Sequence, residues 1–155
     1  MVELQILKDS LAKKKEILVK IEEENKNQEK ALKVEPVSMD DFEAIIDKKS
    51  ELIDELNRLD EGFESVYDRI KDNLIANKDQ FKAQIEDFKT LISAITELSV
   101  SIQAGEVRNK SLVEKFFKKS REDIQAERVR AKSSYDFMNR MTNADVEPRF
   151  MDTKK

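Results

Sequence analysis

Residues 42–70, FEAIIDKKSELIDELNRLDEGFESVYDRI, contain the pattern that decides the fold. Apolar residues recur here at alternating steps of three and four, the spacing of a helix that packs one face against other helices. Eight of the nine positions in this repeat are apolar, and Lys49 is the exception. The stretch therefore predicts one long amphipathic helix within a bundle or coiled coil. Its nine positions are Phe42, Ile45, Lys49, Leu52, Leu56, Leu59, Phe63, Val66 and Ile70.

Gly62 lies inside this predicted helix, next to Phe63. A glycine in a helix interior costs about 1 kcal/mol relative to alanine, so its presence calls for a reason. We expect that a neighbouring side chain needs the space at Gly62, and a hinge at this position is the alternative.

The start of the helix is marked by several boundary signals. Pro36 ends any preceding helix, because the residue before a proline is pushed out of the helical region. Ser38 is a suitable N-cap, and Asp41 three residues later approximates a capping box. Val37 can pack on Phe42 as a hydrophobic staple. We therefore expect the helix to begin immediately after Ser38.

A weaker heptad repeat precedes Pro36 and predicts another helix. Six of its nine positions are apolar, and the other three are polar residues in the middle of the repeat. Polar residues at such positions fix register or oligomeric state, or they simply weaken the packing. The nine positions are Leu4, Leu7, Leu11, Lys14, Leu18, Ile21, Asn25, Gln28 and Leu32.

A third repeat begins after the sequence NLIANK at residues 73–78, where two asparagines indicate a turn. Its first part is densely apolar, and the pattern becomes thin after Gly105. We expect one long helix that reaches about Met141, with a bend or a break near Gly105 as the alternative. The dense part consists of Phe81, Ile85, Phe88, Ile92, Ile95, Leu98 and Ile102.

These patterns predict an all-α fold, an antiparallel bundle or coiled coil of three long helices in a single domain over residues 1–141. The helices are expected at about 2–33, 39–74 and 78–141, and a break near Gly105 would make four. Residues 142–155 have no helical period and contain Pro148, which predicts a disordered C-terminal tail.

The composition excludes most kinds of catalytic site. The chain has no Cys and no His, so thiol nucleophiles, histidine bases and Cys/His zinc sites are absent. Two glycines in 155 residues cannot form a phosphate-binding loop. The acidic residues are best explained as solvated helix surface, because paired catalytic carboxylates need a dry cleft. We therefore expect no enzyme activity, no cofactor and no metal.

The charge pattern also argues against nucleic-acid binding and membrane insertion. Residues 1–105 carry 16 basic and 24 acidic side chains, whereas residues 106–155 carry 13 basic and 9 acidic ones. The resulting net charge of +4 in the second part is modest and has no aromatic stacking motif with it. No window approaches the roughly 20 apolar residues that span a bilayer. We expect a cytoplasmic protein.

The last predicted helix carries apolar residues near its end. Tyr135, Met138 and Met141 are spaced by three and share one helical face. This face either closes the bundle or binds a helix from a partner, since flexible Met-rich faces accept amphipathic helices. The thin repeat after Gly105 leaves one end of the predicted bundle under-filled, and an added helix would complete it.

Several segments resemble the FlgN-type flagellar export chaperones. In that family a lysine precedes a leucine-rich heptad, and here Lys48 and Lys49 precede the leucines of residues 52–59. The segment IQAGEVRNKSLV at 102–113 resembles the family's Ile, Glu, Asn and Leu spacing. The segment AKSSYDFM at 131–138 is also similar. The remaining matching positions are Ile102, Glu106, Asn109, Leu112, Phe150, Asp152, Lys154 and Lys155.

The resemblance implies a chaperone of the flagellar type III export system. Such chaperones bind the C-terminal helices of FlgK- and FlgL-like hook-associated proteins, prevent premature assembly and deliver them to the export gate. The family's cargo-binding part is the C-terminal helix, and Tyr135 is the candidate for gate docking. Carried onto this sequence, the partner-binding candidates are Val113, Phe116, Phe117, Ile124, Val129, Tyr135, Met138 and Met141.

Three other functions remain open from the sequence. The strong heptads also suit a structural coiled-coil homo-oligomer without a client. A chaperone for another flagellar client, such as the filament cap or a flagellin, has the same sequence features. A helical nucleic-acid-binding protein is the third alternative, and it predicts salt-sensitive association with DNA or RNA.

Overall fold

The computed structural model describes residues 1–142, and these residues form three long α-helices without any strand. Helix α1 is Val2–Lys33, α2 is Met39–Ala76 and α3 is Lys82–Thr142. The predicted all-α fold of three long helices is therefore confirmed. The predicted tail, residues 142–155, lies outside the described residues except for Thr142, which is the last residue of α3.

Hydrogen bonds of the capping residues mark both boundaries of α2. The Ser38 hydroxyl accepts a hydrogen bond from the Asp41 backbone N–H at 3.3 Å, as predicted for the N-cap. At the other end, the Asn77 N–H donates to the Asn73 carbonyl at 3.1 Å, and the Phe81 N–H donates to the Asn77 carbonyl at 3.2 Å. This turn delays α3 to Lys82, four residues later than the sequence suggested.

The helix α3 passes through Gly105 without a break. The four-helix alternative is therefore wrong. The residue contacts nevertheless divide the chain into two compact units, which we call unit 1 (Met1–Leu112) and unit 2 (Val113–Lys155). Unit 2 is described as far as Thr142. The organisation of residues 1–141 as a single domain stays a prediction.

Within unit 1, α1 and α2 are antiparallel. Lys14 near the start of α1 pairs with Asp60 in the second half of α2, with 2.8 Å between Nζ and Oδ1. Near the end of α1, Gln28 accepts a hydrogen bond from Lys49 in the first part of α2 at 2.9 Å. The start of α1 therefore lies beside the end of α2, and the end of α1 lies beside the start of α2. This is the antiparallel arrangement predicted for the bundle.

The α1 helix is parallel to the first part of α3. Lys8 pairs with Asp87 at 3.2 Å, and further along, the Asn25 side-chain amide donates to the Ile102 carbonyl at 3.4 Å. Helix α1 thus contacts both other helices of unit 1 and has more buried residues than α2. The unit is a three-helix arrangement with an up, down, up chain course.

The apolar core of unit 1 forms two clusters along α1. Burying one Leu or Ile side chain contributes about 1.5–3 kcal/mol, so these clusters supply much of the drive for folding. The predicted heptad positions of α1 and α2 are all buried or half-buried. The buried members are Leu11, Ile17, Leu18, Ile21, Leu52 and Ile95 in one cluster, and Leu4, Leu7, Ile70, Leu74 and Phe81 in the other.

Ile92 is the exception among the predicted core positions. The sequence placed it on the dense apolar face of α3, but its side chain is 48% exposed. Its neighbours in the repeat, Phe88 and Ile95, are half-buried and buried. The prediction for Ile92 was wrong because the repeat reports which side of α3 is apolar, not whether a helix covers each position on that side.

A cluster of five polar residues connects the three helices beyond the apolar core. The Lys49 ammonium lies 2.7 Å from Glu106 Oε1 and also donates to Gln28 Oε1. The Asn109 amide donates to the Asn25 carbonyl at 3.0 Å and to Gln28 Oε1 at 3.4 Å. Four of the five are buried, and only Glu106 reaches solvent. We call these residues the polar cluster.

For Asn25 and Gln28, the polar cluster favours a role in fixing the register over a mere weakening of the packing. A buried ammonium without partners is very costly, so Lys49 can be accommodated only where Gln28 and Glu106 both face it. Shifting α1 or α3 by one turn would separate these partners. The cluster therefore ties the three helices to a single register.

The two glycines have different surroundings. Apart from the adjoining residues and backbone of α2 itself, no described atom lies within 4 Å of the point where a Cβ on Gly62 would be placed, so the expected crowding by a neighbour is wrong. A Cβ on Gly105 would lie 3.2 Å from Asn25 Nδ2 and 3.6 Å from Asn25 Cβ. The crowding by a neighbouring side chain that we expected at Gly62 therefore occurs at Gly105, where the neighbour is Asn25 of α1.

We predict that Gly62→Ala raises the free energy of unfolding by about 1 kcal/mol, because alanine favours the helix and meets no neighbour. Gly105→Ala is expected to give no such gain, since its Cβ would press on Asn25. Urea unfolding followed by far-UV circular dichroism measures both. An equal gain at the two positions would contradict a close approach at Gly105.

We also predict unequal effects at the two ends of the Lys49–Glu106 pair. Glu106→Ala should lower the free energy of unfolding by about 1.5–3 kcal/mol, because it leaves a buried ammonium with one neutral partner. Lys49→Met should change it by less than about 1 kcal/mol, because methionine fills the space and Glu106 is hydrated. The same urea unfolding assay applies. A larger loss for Lys49→Met than for Glu106→Ala would contradict the assigned role of desolvation.

Candidate partner-binding surface

The eight residues that the sequence singled out for partner binding all lie on α3 within unit 2. Their exposure divides them into two groups. Val113, Phe116 and Tyr135 are half-buried. The exposed members are Phe117, Ile124, Val129, Met138 and Met141.

Helix geometry places five of the eight on one side of α3. At about 100° per residue, Val113, Phe117, Ile124, Tyr135 and Met138 fall within an arc of roughly 60°. We call these five residues the unit 2 apolar face. It extends over seven turns of helix, so it presents a long, narrow apolar stripe of the kind that an amphipathic helix covers.

The other three candidates lie away from the centre of this face. Phe116 and Met141 are at one edge of it, and Val129 is about 140° from Ile124, on the opposite side of the helix. Val129 therefore does not belong to the same surface, although the sequence analysis grouped it there. Its exposure, 53%, is almost the same as the 52% of Ile124.

The two phenylalanines at the start of unit 2 contact each other. The ring centroids of Phe116 and Phe117 are 5.2 Å apart, and the ring planes meet at 65°. Edge-to-face contacts of this kind are favourable beyond the apolar area that they cover. The contact holds the two rings in a defined arrangement at one end of the unit 2 apolar face.

Basic side chains surround the middle of the face. Ile124 lines a depression on α3 together with Lys118, Arg121 and Arg128, and among residues 1–142 Glu122 is the only acidic residue that lines it. Guanidinium and ammonium groups beside an exposed aliphatic side chain favour a partner that carries carboxylates next to apolar residues. The arrangement is suited to binding a helix.

Two further observations limit the chemistry of residues 1–142. No group of three or more Asp and Glu side chains in this range is placed to hold a metal ion. None of the described helices is both long and apolar enough to cross a bilayer.

Three of the residues that carried the family resemblance meet in the polar cluster, whereas Tyr135 and Met138, from the segment at 131–138, lie on the unit 2 apolar face. Lys49 comes from one matching segment and Glu106 and Asn109 come from another, and the three contact one another or share Gln28 as a partner. The sequence analysis did not connect them with Asn25 and Gln28. The available signal was that each helix carries polar residues at inward heptad positions, because buried polar groups need partners.

Comparison with known proteins found one protein family. The family model described as FlgN protein matches residues 1–136. The searches of curated proteins and of solved structures found no match.

Proposed function

Because the chain belongs to the FlgN family of flagellar export chaperones, we propose that it is a cytoplasmic chaperone for proteins of the hook–filament junction. Its clients are FlgK- and FlgL-like hook-associated proteins, which it binds through their C-terminal helical segments. Binding prevents premature assembly of these segments and delivers the clients to the export apparatus. The FlgN family is not an enzyme family, and the proposed action involves no covalent step.

The observation that carries this proposal is the unit 2 apolar face. It offers exposed Phe117, Ile124 and Met138 on one side of a helix, and Arg121 and Arg128 line the depression that contains Ile124. An amphipathic client helix would cover the apolar stripe and place carboxylates near the arginines. Met138 and Met141 add flexible side chains that adapt to more than one client sequence.

Coupled folding and binding accounts for both capture and release. A client segment that is unfolded before assembly gains a helical partner, and the cost of ordering it limits the affinity. The limited affinity lets the export apparatus withdraw the client. Tyr135, half-buried at the far part of the face, is the residue that we propose for contact with the export gate.

We predict that Phe117→Asp and Met138→Asp each weaken client binding at least about tenfold, because each puts a charge where apolar area is to be buried. Helicity should stay at the wild-type level, since both side chains are exposed. Isothermal titration with the C-terminal segment of a FlgK-like protein measures the affinity, and far-UV circular dichroism measures the helicity.

Ile124→Asp and Val129→Asp form a matched control for this surface. The two aliphatic side chains are equally exposed and five residues apart, but they face opposite sides of α3. Ile124→Asp should weaken client binding and Val129→Asp should not. If both variants, together with Phe117→Asp, bound the client like the wild type, the proposed surface would be wrong.

The basic side chains beside Ile124 lead to a prediction on rates. Arg121→Glu combined with Arg128→Glu should lower the association rate about tenfold and make binding less sensitive to salt, because charges at the rim of an interface steer encounter. Stopped-flow measurements between about 0.05 and 0.5 M NaCl would check this expectation. Unchanged rates and an unchanged salt dependence would show that the client approaches another part of the chain.

A further inference from the structure

Unit 1 has an apolar groove that the proposed client-binding surface does not include. It lies between the last part of α2 and the first part of α3, with Leu11 of α1 also lining it. The cavity in this groove has a volume of about 470 Å³. A second cavity of about 310 Å³ shares Leu11, Phe63 and Ile92 with the first and extends it towards Leu59.

The groove contains the one predicted core residue of α3 that is not covered. Ile92 occupies a heptad position of the apolar face, yet its side chain is 48% exposed. Ile75 on α2, which also lines the groove, is 57% exposed. Stacked rings of Phe63 and Tyr67, with centroids 6.2 Å apart, line the groove on the α2 side. A further helix would bury all of these groups.

The dimensions of the groove suit a helix of three to four turns. Its lining runs from Leu59 to Ile75 along α2 and from Ile85 to Thr96 along α3. At about 1.5 Å per residue, these stretches are roughly 24 Å and 17 Å long. Two antiparallel helices with an apolar floor between them form the usual seat for an amphipathic helix.

The charges in the groove indicate the chemistry of the occupant. Lys78 and Lys89 are the charged residues that line the larger cavity. Lys78 forms no ion pair with any residue in the described range, and Lys89 has only an exposed pair with Glu86 at 3.5 Å. Exposed pairs of this kind contribute little to stability, so both ammonium groups can donate hydrogen bonds to a carboxylate of a partner. This local positive charge lies in a region whose residues 1–105 carry a net −8.

We propose that this groove is a second docking site, which binds an acidic amphipathic helix of a partner protein. The apolar side of the partner helix covers Ile75 and Ile92, and its carboxylates meet Lys78 and Lys89. A second copy of this chain is disfavoured, because its exposed unit 2 apolar face has Lys118, Arg121 and Arg128 beside it. Those cations would face the lysines of the groove.

Two designed peptides of about 18 residues test the site on the full chain. They share one apolar stripe, and the flanking positions are Glu in one peptide and Lys in the other. Fluorescence anisotropy measures the affinity of each peptide. The measurement is made at about 0.15 M salt, which limits electrostatic interactions to a range of about 8 Å. The Glu peptide should bind at least about fivefold more tightly than the Lys peptide. The net charge of −4 of the whole chain predicts the opposite order.

Four variants locate the binding. Ile92→Glu and Ile75→Glu should each weaken the binding of the Glu peptide by more than about tenfold. Lys78→Glu should remove its advantage over the Lys peptide. Val100→Glu, which changes an exposed valine of α3 that lines neither cavity, should have no effect. Circular dichroism confirms that each variant keeps its helices.

Several results would overturn the proposal. These are absence of binding, equal or tighter binding of the Lys peptide, and unchanged binding by both Ile92→Glu and Ile75→Glu. If Phe117→Asp were the only variant that abolished binding of the Glu peptide, the peptide would be binding to the unit 2 apolar face. A dimer in sedimentation velocity that Ile92→Glu dissociates would identify a second copy as the occupant. A lipid found in the groove by native mass spectrometry would identify an amphiphile.

The outcome is separable from the proposed function. Phe117→Asp should weaken binding of the client and leave binding of the Glu peptide unchanged, whereas Ile92→Glu should weaken binding of the Glu peptide and leave binding of the client unchanged. If only the effect of Phe117→Asp on client binding were not observed, the proposed client surface would be wrong. If only the effect of Ile92→Glu on peptide binding were not observed, the proposed groove site would be wrong.

Discussion

The arrangement of unit 1 depends on one buried cation. The Lys49 ammonium lies between Gln28 of α1 and Glu106 of α3, and it is the only charged group that the polar cluster buries. Leucine and isoleucine contacts favour association of the helices but tolerate sliding by a heptad, because one aliphatic side chain can replace another. An ammonium that needs two oxygens cannot slide without a large cost. The apolar clusters thus supply the stability and Lys49 supplies the alignment.

The aligned helices leave two apolar surfaces with different surroundings. The unit 2 apolar face is a stripe along one helix, with arginines and a lysine beside it. The groove of unit 1 is a recess with aromatic side chains in its lining and Lys78 and Lys89 as its cations. The charges of both surfaces favour acidic amphipathic helices, but the surfaces differ in shape. A stripe accepts helices of variable sequence, whereas a recess selects side chains that fit into it. A chaperone with both surfaces can hold one helix loosely and another more specifically.

The sequence predicted the helices well because their information is periodic. The heptads of α1 and α2 identified inward positions correctly, and Ser38 marked the start of α2 through a local hydrogen bond. What depends on distant residues was not predictable in the same way. The partners of Lys49 lie 21 and 57 residues away, and the exposure of Ile92 reflects the absence of a covering helix among the described residues. The partner-binding candidates came from the family resemblance, which indicates the C-terminal helix and not one side of it. Val129 was therefore grouped with residues from which it is separated by about 140° around α3.

The contact of Gly105 with Asn25 has a consequence for how this family can diverge. A Cβ at position 105 would lie 3.2 Å from the amide nitrogen of Asn25, and Asn25 in turn holds the carbonyl of Ile102 and receives Asn109 on its own carbonyl. The two positions therefore share one fixed volume. A relative with a larger residue at the equivalent of position 105 should carry a smaller one at the equivalent of position 25. The carbonyl at position 102 would then lose the Asn25 donor and keep its hydrogen bond within α3. Evolution would have to make these changes together, so the pair is expected to appear as correlated substitutions in an alignment and not as two independent conserved sites.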